Sequence, residues 1–193
     1  MTALAGWEAP PSCHAKQGEP PFMQQKSPLT GREVSLDDES FIVTKTDLNG
    51  IISYANRTFM QISGYPEAEL LGQPQNIVRH PDMPKGLFKF MWQQIAAGEE
   101  CFAYVNNRAK NGDNYWVFAN VSPIFNGQRR HTGYFSCRRK PKRAAVDKVM
   151  PIYQHMRQIE QQHPADRGEQ SMRWLIQMIE QDFGSYEKFV LGL

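Results

Sequence analysis

The feature that most constrains the fold is a pair of Asn–Gly turns placed between runs of β-forming residues. Asn111–Gly112 follows the run Cys101–Arg108. Asn126–Gly127 follows Tyr115–Phe125 and precedes Thr132–Arg138. Asn–Gly favours tight hairpins because both residues tolerate the positive φ angles that a two-residue turn between antiparallel strands requires. The pattern therefore predicts three consecutive strands in an antiparallel meander.

A further hairpin is predicted upstream, where Phe41–Thr44 and Ile51–Tyr54 flank the turn Asn49–Gly50. Several helical segments lie between the two β regions. The longest is Pro84–Ala97, in which apolar residues recur at helical spacing. The order of strands, helices and further strands predicts an α+β fold, with a five-stranded antiparallel sheet and short helices on one face.

Composition divides the chain into three parts. Residues 1–37 are rich in Pro, Gln, Gly and Ser and are expected to form a flexible N-terminal arm. The folded domain is predicted over residues 38–140. Residues 141–193 are expected to be a helical extension, in which Pro151 must kink or begin the first helix.

The second helix of this extension, from about Glu169, has one strongly apolar face. Its members are Met172, Leu175, Ile176, Ile179 and Phe183. A helix with such a face needs a packing partner. Two possibilities stay open: the helix packs within the chain, or it forms a homodimer or binds a separate signalling protein.

Charge and cysteine content exclude several classes of function. The net charge is +2, so no nucleic-acid-binding surface is expected, although Arg138–Arg143 is a basic run at the end of the predicted sheet. The 3 cysteines are widely spaced and predict neither a disulfide framework nor a zinc site. The sequence shows no leader peptide and no apolar stretch of about 20 residues, so we expect a cytoplasmic protein without a membrane span.

Several short motifs together resemble the PAS domains of signalling proteins. Tyr54–Phe59, Ser63–Tyr65 and Glu69–Gly72 are typical of PAS domains in general. Asn76–Lys85 and Asn107–Val117 are similar to the FAD-binding PAS domain of bacterial aerotaxis receptors. The resemblance covers about residues 38–156. It implies a PAS fold, an FAD cofactor and a role in sensing redox state or oxygen.

The resemblance also implies where the cofactor is held. It places a flavin-contacting asparagine at Asn107, whose carboxamide can both donate to and accept from the polar edge of the flavin ring. It assigns Arg79, His80 and Asp82 to FAD binding or signalling, and it links Asn56 to cofactor binding. The residues alone leave other interpretations open. Asn107 can be a solvated strand residue, the charged cluster a loop-shaping network, and Asn56 a helix N-cap.

Aromatic side chains are candidates for the walls of a flavin cavity. We expect Trp92 on the long helix and Tyr115 on the fourth strand to face the ring, although core packing explains such residues equally well. Adjacent strand residues face opposite sides, so only one of Tyr115 and Trp116 can face the cavity.

One position departs from the family pattern, which has Trp where this chain has Cys101. Alternation turns the neighbouring Phe102 to the other face.

These observations favour a non-enzymatic sensor that holds FAD. We find no phosphate-binding loop, nucleophile elbow or kinase signature. A flavin oxidoreductase lacks support because the sequence shows no paired acid–base groups and no substrate site. The alternative is a cofactor-free or small-metabolite PAS module that mediates protein interactions. In the sensor, reduction of the flavin is expected to change the hydrogen bonds of Asn107 and to shift the helices beyond Lys140.

Overall fold

Five strands form one antiparallel sheet, which confirms the predicted α+β class. The computed structural model describes residues 27–193. The strands, in chain order, are β1 (Ile42–Thr46), β2 (Ile52–Ala55), β3 (Cys101–Arg108), β4 (Asn114–Phe125) and β5 (His131–Arg139). Strands β3, β4 and β5 pair consecutively, as the Asn–Gly turns predict. The spatial order is β2-β1-β5-β4-β3, so the first and last strands are neighbours inside the sheet.

The helices fall into two groups, one between β2 and β3 and one after β5. The described chain contains α1 (Arg57–Ser63), α2 (Glu67–Leu70), α3 (Lys85–Ala96), α4 (Arg143–Gln162), α5 (Glu169–Phe183) and α6 (Tyr186–Leu191). Short 3-10 turns cover Gln75–Val78 and Pro164–Asp166. The sequence patterns identified neither these two turns nor α6.

Alternation along the strands gives the sheet an inner and an outer face. Ile42, Tyr115 and Val117 point to the inner face and are fully buried there. Phe59 of α1 and Leu87 of α3 are fully buried in the same core. Because α1 and α3 cover this face, the space between the helices and the sheet is the interior of the domain.

The turns are built in two different ways. Gly50 takes φ 75° between β1 and β2, as an Asn–Gly turn predicts. In the turn Asn126–Gly127 the positive φ falls instead on Arg129, at 57°. The side-chain oxygen of Asn126 accepts the backbone N–H groups of Gln128 at 3.0 Å and Arg130 at 2.9 Å. The loop between β4 and β5 spans residues 126–130, and the predicted meander is present.

Part of the predicted flexible arm is docked on the sheet. Residues 1–26 lie outside the described residues. Downstream, the N–H of Thr30 donates to the carbonyl of Gly112 at 3.0 Å, and the N–H of Val34 donates to the carbonyl of Asn114 at 2.8 Å. Hydrogen bonds from Arg32 and Thr30 lower the pKa of the Asp113 carboxyl to about 2. The domain therefore begins before residue 38, because these residues supply hydrogen bonds to the β3–β4 turn.

The C-terminal extension packs against the domain instead of standing away from it. Helix α4 continues through Pro151, so the helix does not begin there. Helix α5 lies against α3 and α4, which bury Met172, Leu175 and Ile179 of the predicted apolar face. Phe183 remains 45% exposed. The structure thus shows packing within the chain, and a second chain is not needed to cover these three residues.

The contact between α3 and the extension centres on a buried carboxylate. One oxygen of Glu160 accepts the backbone N–H of Gly86 at 2.9 Å and the hydroxyl of Ser171 at 2.7 Å. A Cβ atom at Gly86 would lie 2.2 Å from Ser171 Oγ and 2.6 Å from the backbone nitrogen of Met172. Glycine is therefore required where α3 meets α5.

None of the helices within residues 27–193 is both long and apolar enough to span a membrane.

The variant Gly86→Ala tests the contact between α3 and α5. We expect it to lower the free energy of unfolding by about 1–3 kcal/mol, because the methyl group forces two packed backbones apart. Urea denaturation measures the change. The control is Gly127→Ala, where no heavy atom lies within 4 Å of the added Cβ. Its effect should stay within about 0.5 kcal/mol. A Gly86→Ala variant as stable as the parent would show that α5 is only loosely held.

Candidate functional site

A cavity of about 280 Å³ lies between the inner face of the sheet and α3. Its apolar walls come mainly from α3 and from strands β3, β4 and β5. They comprise Val78, Phe88, Met91, Trp92, Ile95, Val105, Ala119, Val121 and Tyr134. The exposed residues Asn49, Pro74 and Asn76 place its opening beside the β1–β2 turn. The volume is just below the roughly 300–1,000 Å³ typical of small-molecule sites, which suits one flat ring system.

Polar groups without partners line this apolar cavity. Within the described chain, the hydroxyls of Thr46 and Ser136, the side-chain amide of Gln75, Nε of Arg79 and Nη1 of Arg138 are buried and have no hydrogen-bond partner. A buried polar group that is left unpaired costs about 1–3 kcal/mol. Their grouping around one cavity indicates a ligand that is apolar over its faces and polar along its edges.

The structure brings the predicted residues Asn107 and Arg79 together at the cavity. An isolated antiparallel bridge pairs the two residues, although they lie 28 positions apart in the chain. Asn107 is only 5% exposed, and its carboxamide makes no hydrogen bond to another described residue. A buried carboxamide that faces a cavity matches the predicted contact with a ring edge, so the interpretation as a solvated strand residue is wrong.

Arg79 lies with its guanidinium against an aromatic wall of the cavity. Its Cζ is 3.8 Å from the centroid of the Phe88 ring. Burial lowers the pKa of Arg79. An arginine with a free Nε in such a place can bind a phosphate or another anion. It can equally hold the connector against α3 through the ring contact, as the loop-shaping interpretation expects.

His80 and Asp82 lie beside the cavity and not in its lining. Nδ1 of His80 accepts the backbone N–H of Asp82 at 3.2 Å, and the Asp82 carboxylate is 3.7 Å away. Burial lowers the pKa of His80, and the charge of Asp82 opposes this effect. The geometry is that of a local turn, which supports the loop-shaping interpretation for these two residues. Their assignment to cofactor binding stays a prediction.

Asn56 acts as the N-cap of α1 and lies outside the cavity lining. Its side-chain oxygen accepts the N–H of Phe59 at 3.1 Å and the N–H of Val43 at 3.1 Å. Its side-chain nitrogen donates to the carbonyl of Phe41 at 2.8 Å. The carboxamide thus joins the start of α1 to β1, and all of its hydrogen bonds in the described chain are structural.

Of the two aromatic candidates, only Trp92 lines the cavity. Its indole meets the ring of Tyr134 edge to face, with centroids 5.3 Å apart. A Cβ at Gly50 would lie 3.1 Å from the same indole, so the turn closes against it. Tyr115 shares the inner face as the cross-strand partner of Asn107 but is fully buried beyond the cavity. The prediction that Tyr115 forms a wall is therefore wrong for this cavity.

Cys101 does not line the cavity either. It begins the edge strand β3 and is buried, and burial raises the pKa of its thiol to about 12. A thiol with such a pKa is protonated at neutral pH and is a weak nucleophile. The indole that the family pattern places here is thus replaced by a small packed side chain outside the lining.

Sequence reasoning missed most of the polar lining. Thr46, Gln75, Ser136 and Arg138 line the cavity but carried no motif of their own. Strand alternation was the available indication, since Tyr134, Ser136 and Arg138 must share one face of β5. In the sequence, Arg138 is the first residue of the basic run Arg138–Arg143, and such a run at the end of a sheet predicts a solvated position. The structure corrects this, because Arg138 is buried while Arg139 is exposed.

A five-stranded antiparallel sheet covered by helices on one face, with a cavity between the two layers, is the architecture of a PAS domain. A family model for the PAS fold matches residues 34–139, and the chain belongs to the PAS family. The aerotaxis receptor of Escherichia coli (strain K12) is 43% identical over 125 residues, which are 65% of this chain and 24% of that protein. The domain is therefore a PAS sensor domain of the aerotaxis-receptor type.

Other relatives agree with this assignment. The nitrogen fixation regulatory protein of Klebsiella pneumoniae is 27% identical over 54% of this chain and 21% of its own length. The chain spans about a quarter or less of these two curated relatives. The light-state structure of the Aureochrome1 LOV photoreceptor has a TM-score of 0.51 at 18% identity, over 59% of this chain and 90% of that chain. This structural likeness supports the fold.

The variant Asn56→Ala separates the capping role from cofactor binding. We expect it to lower the free energy of unfolding by about 0.5–2 kcal/mol, because α1 loses its cap and the hydrogen bonds to Val43 of β1 and to Phe41 just before β1 are lost. Urea denaturation measures this change, and titration with FAD shows whether affinity falls as well. Asn56→Asp retains the acceptor and should recover part of the stability. An affinity loss in a variant of normal stability would place Asn56 in the cofactor site.

Proposed function

We propose that this domain is a sensor that holds FAD in the cavity and reports redox state or oxygen. The observation that carries the proposal is a ring-sized apolar cavity that is lined by Asn107 and by buried polar groups without hydrogen-bond partners. The relation to the aerotaxis receptor supports it. A light-oxygen-voltage domain studied with a flavin analogue shares the fold, with a TM-score of 0.51.

The lining residues divide into walls and edge contacts. Trp92, Phe88 and Met91 of α3 would hold the faces of a flat ring. Asn107 would bind the polar edge through its carboxamide, which can donate or accept as the ring changes. Arg79, which directly follows the 3-10 turn Gln75–Val78 beside the opening, would hold the phosphates. When bound, the flavin supplies reversible two-electron chemistry that the side chains of this cavity lack.

Binding and signalling, without turnover, are the proposed activity. The titratable groups in the cavity lining are Arg79, Tyr134 and Arg138. No carboxylate or histidine is among the lining residues that the structure describes, so the cavity does not offer an acid–base pair for a second substrate. A flavin oxidoreductase would need such groups near the ring.

Helix α3 would carry the change outward. Its inner side forms the cavity wall through Trp92 and Met91, and its N-terminal turn meets the extension through Gly86 and Glu160. A shift of the wall therefore alters the docking of α4 and α5. The receiver would be a second copy of the chain or a separate signalling protein in the cytoplasm, reached through the extension, where Phe183 and Leu191 are exposed.

The protein as purified should be yellow, and acid extraction should release FAD in place of FMN. The absorption spectrum and chromatography of the extract measure this. The reason is that the cavity accepts a ring and Arg79 provides a cation for the phosphates. Colourless protein that also fails to take up added FAD would favour the alternative, a cofactor-free or small-metabolite interaction module.

The pair Asn107→Ala and Asn106→Ala tests the ring-edge contact. Loss of a buried partner costs about 1–3 kcal/mol, so Asn107→Ala should raise the FAD dissociation constant roughly five- to hundredfold. Asn106 lies on the outer face of the same strand, where its side-chain oxygen accepts from Asn114 at 3.2 Å. Asn106→Ala should leave the affinity unchanged. Fluorescence titration with FAD measures both variants, and equal affinities would remove Asn107 from the site.

A further inference from the structure

Arg138 is a buried cation at the inner face of the sheet, on β5. It is 7% exposed and lines the cavity. One nitrogen, Nη2, donates to the hydroxyl of Thr44 at 3.2 Å. The other, Nη1, is buried without a partner in the described chain. A residue that lines the cavity therefore carries an N–H group that no described residue binds.

The surroundings of Arg138 do not neutralise its charge. Within residues 27–193 no carboxylate forms an ion pair with it. Its neighbours are Thr44 from β1, Phe59 from α1 and Tyr115 from β4. Burial raises the pKa of the Tyr115 phenol, so this group is neutral at physiological pH. Burial lowers the pKa of Arg138, yet arginine keeps its proton in proteins.

Packing alone is a weak reason for an arginine at this position. The guanidinium carbon is 5.8 Å from the centroid of the Phe59 ring, close to the limit of about 6 Å for a cation–π contact. A single hydrogen bond to Thr44 could be made by glutamine with less desolvation. Replacing buried charges by well-packed uncharged side chains is often neutral or stabilising. The charge therefore indicates a ligand.

We propose that Arg138 receives a negatively charged or electron-rich edge of the ligand in this cavity. Resting on the proposed function, this means that Arg138 binds the polar edge of the flavin ring. Uptake of two electrons and one proton from an external reductant adds one negative charge to that ring, and the guanidinium favours the charged form. Arg138 thereby raises the midpoint potential of the sensor and binds more tightly to the reduced state than a neutral residue would.

The experiment compares Arg138→Met and Arg138→Gln with the control Arg139→Gln. Arg139 is the next residue on β5, is exposed, and points to the outer face, where its guanidinium lies 5.2 Å from the Phe118 ring. Three quantities are measured: the urea midpoint of the flavin-free protein, the FAD dissociation constant, and the midpoint potential in a reductive titration with a reference dye.

Both Arg138 variants should be at least as stable as the parent without flavin, because a buried charge has been removed. Their FAD dissociation constants should rise about tenfold or more, as expected when a charged hydrogen bond is lost. Their midpoint potentials should be more negative, whereas Arg139→Gln should change none of the three quantities. An unchanged dissociation constant together with an unchanged potential overturns the proposal. So does a loss of stability in both variants with normal FAD binding, since Arg138 would then be a core residue.

Binding of a small anion tests the role of Arg138 separately from the binding of FAD. If the parent protein takes up no flavin, benzoate serves as the probe, because it is a flat anion small enough for the cavity. A rise in melting temperature with benzoate in the parent and in Arg139→Gln, but not in Arg138→Gln, supports an anion-receiving role without FAD. No rise in the parent, or an equal rise in Arg138→Gln, overturns it.

Discussion

The pairing of β1 with β5 is the interaction on which the rest of the structure depends. It joins the N-terminal hairpin to the meander and makes a single sheet from two separate β regions. Its register sets Thr44 opposite Ser136 and Ile42 opposite Arg138. Side chains from the beginning and the end of the domain therefore meet on one face. The polar end of the cavity exists only because these two strands are neighbours.

Helix α3 connects the cavity to the C-terminal extension because it contacts both of them. Trp92 and Ile95 face the cavity, while Gly86 is in backbone contact with α5. One oxygen of Glu160 accepts hydrogen bonds from both Gly86 and Ser171. A buried carboxylate shared in this way holds α3, α4 and α5 in one arrangement. The cavity wall and the extension are therefore joined by direct packing and not by a flexible linker.

Local patterns predicted much of this arrangement. The strands, the long helix α3 and the cap at Asn56 follow from turn chemistry and hydrophobic spacing, which act over a few residues. The motif around Arg79 and the residue Asn107 were found through a family resemblance, and both lie at the cavity. The same reasoning misplaced Tyr115. Alternation indicates which face a strand residue takes, but not how far along that face a cavity extends.

The sequence by itself determined the strands, the helices from α1 to α5, the meander, the α+β class and the membership of the PAS family, because each depends on residues close together in the chain. Only the tertiary structure decided that Arg138 is buried, that Cys101 lies outside the cavity, and that the apolar face of α5 is covered by α3 and α4. These outcomes depend on which distant segments become neighbours. Whether a side chain is buried, and whether a counter-ion lies near it, are properties of that three-dimensional neighbourhood. A basic run in the sequence does not indicate that one of its residues points inward.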